Sequence, residues 1–172
     1  MSEIFIVLMH SMTIPARIVK LATRYKYSHV AISLEENCDT MYSFGRKKVN
    51  NALDGGYSVE NRNGEFFKKF KNATCTVYKM NVSEEQKENL KKLLTSMKEN
   101  DVYKYDFVGA FFRFFKIPVT FKNQYTCSYF VAYALKETGI YDFKIPPHFV
   151  NPKDFEKIKT LEKIYEGKYL DM

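Results

Sequence analysis

The chain has 172 residues, of which 45% are hydrophobic and 27% charged, with a formal net charge of +7. This is ordinary for a globular protein, and the chain is long enough for one domain with its own core. No apolar run approaches the roughly 18 residues that cross a bilayer, and the three widely spaced cysteines argue against a disulfide framework.

The first third of the chain predicts two strands, with a short helix between them and a return strand after them. Residues 3–9 form an apolar run that is typical of a buried strand. Residues 15–24 have the spacing of a short amphipathic helix. Residues 28–34 predict a clear strand, and after a turn at 36–39 the segment 41–46 predicts its hairpin partner.

The middle of the chain changes character twice. Residues 47–72 hold most of the turn-forming pairs, and we expect a loop-rich insert there with at most a short strand near 57–61. Another strand is predicted at 74–80. A capping-box pattern at 83–86 begins a helix that runs to about Glu99.

Residues 105–116 predict a helix that is rich in phenylalanine and ends before Pro118. Its aromatic residues are distributed around the whole circumference of the helix, so the helix is either buried in the core or partly exposed and in contact with an apolar partner. Together with the basic excess, this segment predicts a possible peripheral membrane contact through 107–116.

The last part of the chain predicts two helices and a terminal hairpin. A helix begins at Thr126 or Cys127 and ends at Gly139. A short helix follows Asn151, and residues 161–170 predict a hairpin that turns at Glu166 and Gly167. The order of elements fits a single α+β domain over 1–172 with an antiparallel sheet.

Composition also suggests where the protein acts and what it contacts. The opening apolar run follows Glu3 rather than a basic stretch and is too short for a signal-peptide core, so we expect a cytoplasmic protein. Its lysines are scattered rather than clustered in an arm, and we expect no nucleic-acid partner. Without paired His/Cys spacing or a glycine-rich phosphate loop, we expect neither a metal nor a cofactor.

Cys127 is the strongest candidate nucleophile. Thr126 precedes it as a helix N-cap, and the free N–H groups and positive dipole of a helix start favour a thiolate. The same N–H groups suit an oxyanion. The alternative is a core cysteine, because Cys127 shares one apolar helix face with four later residues: Phe130, Val131, Ala134 and Leu135.

His29 is the candidate base, because it opens the best-defined strand and can project toward a helix start. The alternative is a structural histidine. His10 follows the first strand, and His148 lies in an apparent linker where we expect it to be exposed. Cys38 lies in a turn and Cys75 inside a strand, neither near a helix start.

Two motifs in reversed order resemble a known family. The segments 28–34 (SHVAISL), 41–46 (MYSFGR) and 125–131 (YTCSYFV) resemble the permuted NlpC-type branch of the papain-like cysteine hydrolases. That branch includes the YiiX/YaeF-like amidases and the lecithin retinol acyltransferase-like proteins. The resemblance implies a permuted papain-like fold, with an antiparallel sheet or partial barrel packed against helices, and a Cys127–His29 pair.

The family also places a polar residue near the histidine to orient its imidazole. If the turn at 36–39 has four residues, His29 pairs with Arg46; a register shorter by one puts Ser43 on the face of the histidine. Glu60, on the possible strand near 57–61, is the second candidate. Ser43 and Glu60 both remain open as orienting residues.

The resemblance implies acyl chemistry through the thiol. We expect a cysteine hydrolase of the amidase or peptidase type, or an acyltransferase, acting on an amide, ester or thioester. Small-molecule, peptide-like and lipid substrates are all compatible with it. The alternatives are a ligand-binding protein with degraded catalysis and a membrane-surface protein on the same fold.

Overall fold

The computed structural model describes residues 1–10, 25–48 and 51–172. The helix that the sequence predicts at 15–24 lies outside these residues. The described chain is a mixed α+β structure with one curled eight-stranded sheet, which confirms the predicted class. In chain order the strands are β1 (Ser2–His10), β2 (His29–Ser33), β3 (Thr40–Lys48), β4 (Asn51–Asn61), β5 (Thr74–Val82), β6 (Lys104–Tyr105), β7 (Gln124–Tyr125) and β8 (Glu162–Lys168).

The strand order across the sheet is β7-β6-β4-β3-β2-β1-β5-β8. Every pair is antiparallel except β6 with β7, which is parallel. The described helices are α1 (Glu65–Lys69), α2 (Glu84–Glu99), α3 (Phe107–Phe114), α4 (Cys127–Glu137) and α5 (Pro152–Phe155). Short 3-10 turns lie at Pro147–Phe149 and Tyr169–Asp171.

Both faces of the sheet are covered, which explains the unbroken apolar run of β1. Successive side chains of a strand point to opposite faces. Ile4, Ile6 and Leu8 enter the larger core, where they meet α2 and α4. Phe5, Val7 and Met9 enter a second core, which contains Cys75 of β5, Phe67 of α1 and Tyr169 near the end of the chain. Because residues 4–9 of β1 are buried on both faces of the sheet, they are all apolar and show no alternation with polar residues.

The segment 47–72 is mostly regular, which corrects the loop-rich insert expected there. Strand β4 pairs with β3 from Asn61 opposite Thr40 to Asn51 opposite Lys48, and α1 follows it. Gly55 and Gly56 lie within the strand because β6 crosses them closely. A Cβ at Gly56 would lie 2.5 Å from the carbonyl oxygen of Tyr103, so the glycines allow a close approach rather than a turn.

The predicted hairpin at 161–170 is wrong. One strand, β8, spans this segment and pairs with β5, with Gly167 opposite Cys75. Edge pairing with β5 satisfies the backbone groups that a hairpin would have paired internally. Tyr169 then turns into the second core, where its hydroxyl donates a 2.6 Å hydrogen bond to the carbonyl of Cys38.

Local helix signals are confirmed. Ser83 and Gln86 form both bonds of a capping box at the start of α2. The helix that begins at residue 107 starts two residues later than predicted, because Lys104 and Tyr105 pair with β7. The Asp106 side chain caps it by accepting from the N–H of Gly109 at 2.8 Å.

Candidate active site

Cys127 is the first residue of α4, and its side chain is only 5% exposed. Thr126 is the N-cap, and its hydroxyl accepts the N–H of Tyr129 at 3.3 Å. The apolar face expected from the sequence (Phe130, Val131, Ala134 and Leu135) lies wholly in the larger core. The two interpretations of Cys127 are therefore compatible: this face anchors the helix, and the anchored helix holds the thiol at its N-terminal end.

His29 begins β2, the strand on which α4 packs. The imidazole interacts with the Cys127 thiol, and each group shifts the pKa of the other toward its charged form. The backbone N–H groups of Val30 and Ser128 also lower the pKa of the thiol. The fold thus brings together the two residues that the sequence singled out, one from a strand start and one from a helix start.

Glu60 lies on the other side of the imidazole. Its Oε1 is 2.9 Å from His29 Nε2, and the two side chains are 16% and 18% exposed. The pair lies over Gly45, because a Cβ built there would contact both His29 Cε1 and Glu60 Oε1. Since Nε2 is bonded to Glu60, Nδ1 is the ring nitrogen left for the sulfur.

Ser43 lies on the predicted face but does not bond the imidazole. Ile32 pairs with Tyr42, which is the register shorter by one and puts Gly45 rather than Arg46 opposite His29. The Ser43 hydroxyl donates instead to the backbone carbonyl of Val30 at 2.6 Å. Of the two candidate orienting residues, the structure brings Glu60 to the imidazole and assigns Ser43 to the backbone of β2.

The electrostatics of the pair favour a charged form. Burial alone would raise the pKa of the Cys127 thiol, but His29 and the N–H groups of Val30 and Ser128 outweigh it, so the pKa is lowered. Burial opposes the charged form of His29 as well. The Glu60 carboxylate and Cys127 outweigh that effect and hold the pKa of His29 well above its ordinary value. Both shifts favour the thiolate–imidazolium form of the pair over the neutral form.

The other two cysteines have the opposite character. Cys38 and Cys75 are buried in the second core, and burial raises the pKa of each thiol to about 12. A thiol with such a pKa is almost entirely protonated near neutral pH and is a poor nucleophile. Among the three cysteines, Cys127 alone has a thiol prepared for chemistry.

Sequence reasoning missed a second polar cluster beside Cys127. It consists of Tyr105, Asp106, Arg113, Tyr129 and His148, and is called the arginine cluster below. Tyr129 lies on α4 two residues after Cys127, which places the cluster near the start of that helix. Burial raises the pKa of the Tyr105 hydroxyl, Cys127 raises it further and Arg113 opposes the rise.

Arg113 and Asp106 form a salt bridge at 2.8 Å, with side chains 6% and 0% exposed. The sequence pattern that could have predicted this salt bridge is Asp106-x-x-Gly109-x-x-x-Arg113, in which the aspartate caps the helix that carries the arginine. His148 was expected to be exposed in a linker, but its Nε2 is buried because the 3-10 turn packs against α4.

The phenylalanine-rich segment is largely exposed. Seven large apolar side chains between residues 107 and 121 are at least 37% exposed: Phe107, Val108, Phe111, Phe112, Phe115, Ile117 and Phe121. We call them the aromatic surface. The described residues contain no helix that is long and apolar enough to span a membrane.

Within the described ranges, no group of three or more His, Cys, Asp or Glu side chains is arranged to hold a metal ion. Comparison with known proteins gives no relative: no family model matches the chain, and no curated protein matches it significantly.

Proposed function

We propose that this chain is a cysteine-dependent acyl hydrolase or acyltransferase of the permuted papain-like, NlpC type. The observation that carries the proposal is the ordered set Cys127–His29–Glu60, with a lowered pKa at the thiol and a raised pKa at the imidazole. A nucleophile, a base and a group that orients the base are the parts that covalent acyl transfer needs. The supporting sequence motifs run in the order histidine before cysteine.

In this mechanism the Cys127 thiolate attacks the carbonyl carbon of an amide, ester or thioester. The tetrahedral oxyanion is stabilised by N–H groups at the start of α4. Collapse of the intermediate breaks the bond to the leaving group, which takes the proton of the His29 imidazolium. Water or another acceptor then loses a proton to His29 and attacks the thioester, which releases the acyl product and regenerates the thiol pair.

Glu60 acts as a positioning residue for His29. Its carboxylate accepts the Nε2–H, fixes the plane of the ring and stabilises the positive charge that the ring carries. The second carboxylate oxygen, Oε2, is buried and has no hydrogen-bond partner. The imidazolium is therefore the main compensation for the buried charge of Glu60.

Alkylation by iodoacetamide tests the proposal without knowledge of the substrate. We expect fast labelling of one thiol near neutral pH, lost in Cys127→Ala and retained in Cys75→Ala, which also removes one buried thiol. Site mapping by mass spectrometry identifies the labelled residue. Labelling of folded Cys127→Ala at the parent rate, or a parent protein no faster than free cysteine, would reject a reactive Cys127.

A second candidate function is contact with a membrane surface, and the aromatic surface favours it. Contiguous exposed apolar area of this kind is unusual unless something covers it. Within residues 107–122 the exposed charges are Lys116 and Lys122, and Asp106, which precedes this segment, is buried against Arg113. Phenylalanines flanked by lysines match the interface of an anionic bilayer. This candidate is compatible with the first if the acyl substrate is a lipid.

A further inference from the structure

The arginine cluster contains polar atoms that the fold itself does not satisfy. Arg113 Nη2 and His148 Nε2 are both buried, and neither has a hydrogen-bond partner. Buried polar groups in native proteins are nearly always hydrogen-bonded, and an ionised donor costs the most when it is not. Two such atoms next to a reactive thiol call for an acceptor from outside the chain.

The guanidinium of Arg113 is held rigidly from one side. Its Nη1 donates to Asp106 Oδ2 at 2.8 Å and to the carbonyl of Val119 at 2.7 Å, which uses both of its hydrogens. Gly109 makes this possible, because a Cβ at that position would collide with both Asp106 and Arg113. The helix cap, the glycine and the loop carbonyl together fix the orientation of one buried arginine.

Arg113 and His148 both lie against the ring of Tyr129. The Arg113 guanidinium carbon lies 5.8 Å from the centre of the Tyr129 ring, and the His148 ring centre lies 6.0 Å from the same ring. Burial and the charge of Arg113 lower the pKa of His148, so its imidazole is neutral near neutral pH. A neutral imidazole can donate from Nε2 without adding a second positive charge.

We propose that Arg113 and His148 form a subsite that binds a carboxylate beside Cys127. A guanidinium forms charge-assisted hydrogen bonds to a carboxylate that are about twice as strong as those to a neutral acceptor. The Tyr129 ring forms a wall of the subsite. That this carboxylate belongs to the acyl substrate of Cys127 rests on the proposed function, and it makes that substrate an amide or ester with a carboxylate near the scissile bond.

Binding of two matched amides to Cys127→Ala tests the subsite without any need for catalysis. N-acetylglycine carries a carboxylate next to its amide, and N-acetylglycinamide is its neutral counterpart. We expect N-acetylglycine to shift the backbone ¹H–¹⁵N signals of Ser128 and Tyr129 with a Kd at least tenfold lower than that of the neutral amide. Equal affinity for the two compounds would overturn the proposal.

Further variants in the Cys127→Ala background assign the binding to the two residues. His148→Phe keeps an aromatic ring against Tyr129 and removes the imidazole N–H donor. Arg113→Lys keeps the positive charge but loses the planar guanidinium with its paired N–H groups. Each variant should raise the Kd of N-acetylglycine at least tenfold and leave the Kd of N-acetylglycinamide unchanged. The control Lys116→Gln, which removes an exposed charge nearby, should change neither Kd. Because His148 is only half-buried, His148→Phe remains decisive if Arg113→Lys does not fold, and an unchanged Kd in His148→Phe would overturn the assignment.

The two proposals fail separately. If N-acetylglycine binds as expected and iodoacetamide does not label Cys127, the subsite stands and the acyl chemistry is rejected. If Cys127 is labelled rapidly and N-acetylglycine does not bind, the carboxylate subsite is rejected and the nucleophile stands.

Discussion

At the scale of single residues, the site depends on which neighbours a side chain has rather than on its type. Cys38, Cys75 and Cys127 are all buried, yet burial raises the pKa of the first two thiols and the pKa of the third is lowered. The difference is made by His29 and by two backbone N–H donors at the sulfur of Cys127. The raised pKa of His29 in turn depends on Glu60.

Glu60→Gln is expected to raise the pKa of the Cys127 thiol indirectly, through its effect on His29. The amide keeps a hydrogen-bond partner for Nε2 but removes the negative charge, so the pKa of His29 falls and the imidazolium supports the thiolate less. The acid limb of the iodoacetamide rate against pH should move toward the ordinary cysteine pKa of about 8.5. The alkylation rate near neutral pH should fall at least about tenfold.

Ser43→Ala is the matched control for this prediction. It removes the hydrogen bond to the Val30 carbonyl and should lower the free energy of unfolding by about 1 kcal/mol. The pH profile of alkylation should stay where it is in the parent protein. A Glu60→Gln protein with the parent profile would show that Glu60 does not act through His29.

At the scale of elements, periodicity identified most strands and helices, and tertiary pairing decided the ambiguous ones. Residues 51–61 become a strand because β3 pairs with them, although they hold turn-forming residues. The phenylalanines of α3 could have been core by pattern alone. Phe107, Phe111 and Phe112 are instead 44%, 63% and 37% exposed.

Flotation with vesicles tests the aromatic surface. We expect the protein to float with phosphatidylcholine vesicles that contain phosphatidylserine, more strongly at low than at high salt, because both apolar burial and lysine charge contribute. Phe111→Ser with Phe115→Ser should reduce the bound fraction several-fold. Ile164→Ser, which alters an exposed apolar residue on β8 outside the aromatic surface, should not change it. Equal flotation of the double variant would remove the aromatic surface from membrane binding.

At the scale of the whole molecule, the site exists because the sheet order brings distant segments together. His29 comes from β2, Glu60 from β4 two strands away, and Cys127 from the helix that packs over them. Strand β3 lies between the two strands, and its Gly45 lies beside both the imidazole and the carboxylate. A pair of titrating groups assembled this way is also a source of pH-dependent stability.

The free energy of unfolding should show this pH dependence. The raised pKa of His29 stabilises the fold below its unfolded pKa of about 6.5, and this contribution is lost as the pH rises through the folded pKa. The lowered pKa of Cys127 stabilises the fold above its unfolded pKa of about 8.5, and this contribution is lost as the pH falls through the folded pKa. For an ion pair that persists from one unfolded pKa to the other, the two slopes cancel between these limits, so the contribution of the pair is flat there and declines on both sides.

Urea unfolding of the parent and of Cys127→Ala with His29→Gln measures this contribution as a difference. The difference in the free energy of unfolding should be most favourable to the parent between about pH 6.5 and 8.5 and should fall at lower and at higher pH. Titrating groups that do not contact the pair cancel in the comparison, whereas Glu60 loses its charged partner in the variant and is followed separately in Glu60→Gln. A difference that is constant, or that changes in one direction only, would contradict a thiolate–imidazolium pair in the folded protein.

The sequence by itself determined what depends on neighbouring residues in the chain. The apolar run of β1, the capping box of α2 and the start of α4 at Cys127 follow from local patterns, because side-chain alternation and cap bonds are satisfied within a few residues. These features were enough to indicate the α+β class and to make Cys127 and His29 candidates, and the resemblance of two motifs to a known family led to the expectation of a pair. They did not separate Ser43 from Glu60, since a shift of one residue in strand register changes which side chains share a face.

Only the tertiary structure decided the contacts between distant segments. It placed Glu60 on the imidazole, turned Ser43 to the backbone of β2, left the aromatic surface exposed and placed Arg113 and His148 against Tyr129. Each outcome depends on strand register or on packing between elements, and no local pattern encodes either. The candidate nucleophile could be read from the chain, whereas the groups that shift its pKa required the folded sheet.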